Sequence, residues 1–185
     1  MNAKRKSSLT WSRVKRELSA LEEADVLRLL HDLYGARPEN RDFMHARLRL
    51  AEVDSLEPYK KTIERWIAPN VLRNQNVSVT NARKAISDYR SADGDPEALA
   101  ELMVFYCEKA VAFSKDCGLQ DEGFLNALVR IFGQALKQTR RLPNPEGSDF
   151  TMRLQEVSRV GHELGYGVGD DMESLLDRHA KTEPR

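Results

Sequence analysis

The stretch from Asp95 to Arg141 constrains the fold more than any other, because two long segments in it are apolar around most of a helix's girth. Asp95 offers a side-chain acceptor for free amide groups and Pro96 suits the first helical position, so a helix is predicted to start there. Gly118 supplies a left-handed stop after Cys117. Leu99, Leu102, Met103, Tyr106, Ala110, Val111 and Ser114 recur at helical spacing, and Val104, Phe105, Ala112 and Phe113 widen that face. Glu101, Glu108 and Lys115, seven residues apart, leave only a narrow polar seam.

A second helix is predicted from near Asp121, with Phe124, Leu125, Leu128, Val129, Ile131, Phe132, Ala135 and Leu136 apolar and Asn126, Arg130, Gly133 and Lys137 forming its wet edge. Helices this apolar need neighbours on several sides. The pair is therefore predicted to be a hydrophobic axle, with the remainder of the chain wrapped around it.

Upstream, shorter amphipathic segments follow one another. Trp11, Val14, Leu18 and Leu21 mark a helix from about Ser12, and Val26, Leu29, Leu30, Leu33 and Tyr34 mark one closed by Gly35. Glu39 to Val53 gives a third. A fourth, with Tyr59, Ile63, Trp66 and Ile67 apolar, opens at Pro58 and is ended by Pro69. A fifth starts at Val79 or Thr80 and runs through Ala82, Ala85, Ile86 and Tyr89. Beyond Arg141, residues 142–148 read as a loop. An eighth helix follows through Leu154, Val157, Gly161 and Leu164, and a short ninth through Met172, Leu175 and Leu176.

No segment alternates as a strand does. The expected fold is all-α: an irregular bundle of about nine helices in antiparallel hairpins, with a repeat-like α-α superhelix as the alternative. A single helical domain is expected over 1–185, with sub-lobes at about 11–69 and 79–180, a hinge at 68–78, and disordered ends at 1–9 and 181–185.

At 185 residues with 29 basic and 29 acidic side chains, the chain is long enough for one core and is not a globally polyanion-seeking protein. Cys107 and Cys117 lie ten residues apart on one predicted helix, about 15 Å along its axis, too far for a disulfide. Buried free thiols are expected. No apolar leader or membrane span is read in the sequence, which points to the cytoplasm.

Chemical signatures are sparse. His31, His45, His162 and His179 show no paired ligand spacing, and no nucleophile elbow, Walker loop or dinucleotide fingerprint is present. No catalytic residue, metal or cofactor is expected. Asp170, Asp171 and Glu173 follow Gly165-Tyr166-Gly167-Val168-Gly169, which reads as a sharp turn capped by Asp170 in preference to an anion nest. Lys4, Arg5, Lys6, Arg13, Lys15 and Arg16 precede any acid, giving a candidate nucleic-acid arm, although no second basic helix continues the patch. Between Ser91 and Gly123, eight acids face only Lys109 and Lys115, an edge suited to a basic partner.

Tyr59-Lys60-Lys61 with Ile63, Ala82-Arg83-Lys84-Ala85-Ile86-Ser87-Asp88-Tyr89, Asp95 to Tyr106, and Gly118 with Asp121 and Phe124 together resemble a family of bacterial helical proteins of unknown function. Ala135-Leu136 and Gly165-Tyr166-Gly167 with Asp170 add to the resemblance, which spans about Trp11 to Leu176. It implies an all-helical bacterial cytosolic protein and supplies no catalytic residues. Val168 stands where that family usually has an aromatic.

The resulting expectation is a non-enzymatic helical interaction protein, adaptor or regulatory, docking another protein through Tyr59, Trp66, Tyr89 and Tyr106 around a groove between the helices before Pro69 and those after Val79. A nucleic-acid module using the basic arm is the alternative, with a small-molecule or enzymatic pocket third. The sequence does not choose between monomer and homodimer.

Overall fold

The computed structural model describes residues 10–48, 56–92, 95–143 and 146–181. Of the ends expected to be disordered, 1–9 and 181–185, residues 1–9 and 182–185 lie outside the described residues and Lys181 is the C-cap of α9; 49–53 of the third predicted helix also lie outside them. Among the described residues there are nine α-helices and no strand. They are α1 (Trp11–Leu18), α2 (Glu23–Ala36), α3 (Pro38–Leu48), α4 (Glu57–Ile67), α5 (Val79–Ser91), α6 (Pro96–Cys117), α7 (Glu122–Thr139), α8 (Glu146–Gly161) and α9 (Val168–Ala180). The all-α expectation holds.

The chain divides into two compact units, one up to Arg41 and one from Asp42 onward. The first holds α1 and α2, neither of which has a buried residue. The second holds the core. Residues 68–78, expected as a hinge, lie inside it. There Ser78 N–H donates to the Trp66 carbonyl at 2.9 Å and Asn70 N–H to the Gln75 Oε1 at 3.3 Å, around a 3-10 turn at Val71–Arg73 and a left-handed Asn74. This compact reversal lets α4 and α5 pack on each other.

Within the second unit α6 is central and packs against α4, α5, α7 and α8, while α9 closes over α7 and α8. Its ends follow from local chemistry. Asp95 accepts from Ala98 N–H at 2.9 Å beside Pro96, satisfying an otherwise orphaned amide. At the other end Gly118 turns left-handed (φ +58), and Leu119 N–H reaches back to the Ser114 carbonyl. Asp121 then caps α7 through Phe124 N–H at 2.7 Å. Leu102, Met103, Val104 and Tyr106 of α6 and Leu125, Leu128 and Phe132 of α7 are almost wholly buried, so the pair is the hydrophobic axle of the second unit, enclosed by α4, α5, α8 and α9 and not by the whole remainder of the chain as expected.

Two expectations about its polar margins change. The seam of Glu101, Glu108 and Lys115 is a rail for α8. Arg153 holds Glu108 in two parallel hydrogen bonds at 2.7 and 2.8 Å and also pairs with Glu101, while Lys115 pairs with Glu163 at 2.9 Å. Lys60 of α4 reaches Glu101 at 2.7 Å from the other side. A seven-residue spacing places such groups on one face of the helix, where a neighbour with opposite charge can dock. Gly133 is not on a wet edge either, because Leu175 of α9 lies against it, 3.4 Å from where a Cβ would stand.

The α8–α9 corner depends on missing side chains. A Cβ on Gly169 would come within 2.6 Å of the His162 backbone, so any larger residue would force the two helices apart. The intervening turn carries Tyr166 and Gly167 in left-handed conformation, and Gly167, not Asp170, is the N-cap of α9. At the far end Arg140 donates to the Arg178 and His179 carbonyls, filling acceptors that α9 leaves open.

Candidate functional site

Three of the four expected docking aromatics are core residues. Tyr59 and Tyr89 meet edge to face, with centroids 5.2 Å apart, between α4 and α5, and Tyr106 is fully enclosed on α6. They cannot anchor a partner on the folded surface, and the packing of α4 on α5 fills the place where the groove was expected. Trp66 alone is partly accessible, with the Arg65 guanidinium 4.6 Å from its ring centre. Burial pushes the Tyr59 and Tyr106 hydroxyls well above the ordinary tyrosine value, as suits neutral groups in a core.

Lys4, Arg5 and Lys6 of the basic arm lie outside the described residues. Arg13, Lys15 and Arg16 are exposed on α1, where Arg16 pairs with Glu17 at 3.1 Å.

Of the two thiols, Cys107 is buried and its pKa is pushed up by that burial, whereas Cys117 is exposed at the end of α6, against expectation. An aromatic disulfide reagent is therefore expected to modify one thiol in the native protein and both in denaturant. Two rapidly reacting native thiols would contradict the enclosure of α6.

Three surface features have chemical potential. His162, Asp170 and Glu173 converge at the α8–α9 corner, all exposed, with His162 Nδ1 3.6 Å from Asp170 Oδ1 and Nε2 3.7 Å from Glu173 Oε2. An imidazole flanked by carboxylates at both nitrogens presents only one nitrogen to any single ion, a poor chelating arrangement.

The second feature is the apolar surface of α1 and α2. Trp11 is 68% exposed and Leu33 46%, and Val14, Leu21, Leu27, Leu29, Leu30 and Tyr34 are exposed with them. The charges on the two helices differ in sign. Arg13, Lys15 and Arg16 stand against Glu17 on α1, while Glu23, Asp25 and Asp32 stand against Arg28 on α2.

The third is a cavity of about 370 Å3 between α5 and α7. Its α5 wall presents Thr80, Arg83, Ser87 and Arg90, spaced so that all four share one helical face, with Lys84 alongside. Gln134 of α7 stands opposite, and Ile86 and Ile131, each 2% exposed, form the floor. Lys84 pairs with Asp88 one turn on, and Arg90 Nη2 donates to Gln134 Oε1 at 3.4 Å. Arg83 has no hydrogen bond or ion pair to the described residues, and its charge reaches the Tyr106 hydroxyl beneath α5. The reading of α5 from its apolar face alone passes over this set, although its spacing is visible in the sequence. In comparisons with family models, with curated proteins and with solved structures, nothing matches this chain.

Proposed function

We propose that this chain is a non-enzymatic interaction protein that self-associates through α1 and α2. The observation that carries this reading is that neither helix has a buried residue and most of their large apolar side chains are exposed. A helix of eight residues with no buried side chain has little but its own backbone to hold it, and isolated helices shorter than about 12–15 residues are marginal in water. A covering partner resolves that deficit.

The charge pattern favours a second copy as the partner. An isologous pairing sets α1 of one protomer, with three cations and one acid, beside α2 of the other, with three acids and one cation, so helices of opposite net charge meet twice over. The apolar rows then form the interior of a four-helix assembly. The cytoplasmic setting is a proposal carried by the polar N-terminal sequence and the resemblance, and the bacterial family by the resemblance alone.

Light scattering on the full chain at about 100 µM is expected to give a dimer mass, a concentration at which micromolar affinity is saturating. Leu29→Glu with Leu33→Glu is expected to give a monomer with the helicity of the second unit intact, since both positions are exposed. A wild-type monomer removes the reading, as does a double variant that still dimerises.

A further inference from the structure

We propose that the cleft between α5 and α7 binds a small phosphate-bearing molecule with a short apolar body. Among the described residues three cations line it and no carboxylate does. Asp88 already neutralises Lys84, so among the described residues the unmatched charge resides on Arg83, which has no ion pair there, and Arg90, which donates there to the neutral amide of Gln134. The two guanidiniums stand seven residues apart on one helix, about 10 Å between their Cα atoms. Side chains of that length can converge on a single anion from both ends.

The number of donors selects the anion. Two planar forks with neighbouring hydroxyls offer more N–H and O–H groups than the two oxygens of a carboxylate accept, whereas a phosphate monoester presents three charged or polar oxygens. The floor selects what is attached to it. Ile86 and Ile131 close the base of the cavity with apolar surface, which a bare inorganic ion leaves unused. The volume lies at the small end of ligand sites, which run about 300–1,000 Å3. A nucleic-acid strand calls for a continuing track of cations and stacking rings, and this is one compact set over an aliphatic floor. The proposal is independent of self-association through α1–α2.

Calorimetric titration of the full chain with phenyl phosphate, inorganic phosphate, benzoate and a single-stranded oligonucleotide tests it. Phenyl phosphate is expected to saturate at one site per chain below about 10 mM and to bind at least about threefold tighter than inorganic phosphate or benzoate. Arg83→Gln and Arg90→Gln should each weaken it by roughly tenfold or more, the effect of losing one charge-assisted hydrogen bond. Lys61→Gln, which removes an exposed cation from α4, should leave it unchanged. No saturation, equal loss in all three variants, or preference for benzoate overturns the proposal. Tight oligonucleotide binding without phenyl phosphate binding does so too, and assigns the surface to nucleic acid. Arg90 is exposed, so its variant keeps the fold and the result readable even where Arg83→Gln does not.

Discussion

Phe132→Ala is expected to destabilise the second unit by about 3–5 kcal/mol, the range for deleting a buried aromatic ring. Phe132 is wholly enclosed on α7, the helix that packs against α6, α8 and α9. A cavity there is bordered by several helices, and no single one can shift to fill it without disturbing another. Domains of this size have total stabilities of about 5–15 kcal/mol, so the variant should unfold at far lower urea. Met152→Ala is the matched control, because Met152 is 57% exposed on α8. Its cost should stay within about 0.5 kcal/mol. If Phe132→Ala costs no more than its control, α7 is not enclosed and the axle is wrong.

Arg153→Ala is expected to cost about 2–3 kcal/mol at neutral pH, below the roughly 3–5 kcal/mol of a fully buried pair because the side chain is partly wetted. Among the described residues the loss leaves Glu108 with no paired cation and Glu101 with Lys60 alone. Acid should reveal the same interaction. Burial pushes the Glu101 carboxyl up, but hydrogen bonds and charge from Arg153 and Lys60 outweigh it and hold the group below its ordinary value of 4.5. A carboxyl depressed in the folded state contributes stability that is present above the unfolded pKa and is lost as pH falls through the folded one. Urea unfolding of the wild type should therefore weaken as pH drops below about 4.5, with the gap to Arg153→Ala closing over the same range. A gap that persists undiminished at about pH 3 would mean that Arg153 acts through packing, not charge.

The boundaries of α6 and α7 were legible because they are local: Asp95-Pro96, Gly118 and Asp121 each act within a turn of their own backbone. What sits against a helix is not local, and that is where sequence reasoning failed. Tyr59 looked like a docking anchor because tyrosine carries a polar tip. It lies one and two turns from Ile63 and Ile67, both fully buried, and that shared row was the readable sign of its place. Gly133 looked wet because the apolar stripe skips it, yet a residue without a side chain is where α9 can approach. Glu101 and Glu108 looked like the solvent seam because their complement, Arg153, lies on a helix too distant in sequence for periodicity to connect. Of the candidate surfaces, the rows on α1 and α2 were read as helices but not as uncovered. The cations of α5 were hidden by attention to its buried side.

The Arg153 clamp also bears on the order in which the chain completes itself. Synthesis delivers Arg153 52 residues after Glu101 and 45 after Glu108, and Phe150 and Leu154, which share its helix and enter the same core, emerge with it. Until then a growing polypeptide displays the flank of α6 with two carboxylates and a greasy wall side by side. The second unit should accordingly settle late and as a whole, when the segment carrying Arg153 has left the ribosome and both charge and oil find their match in one step.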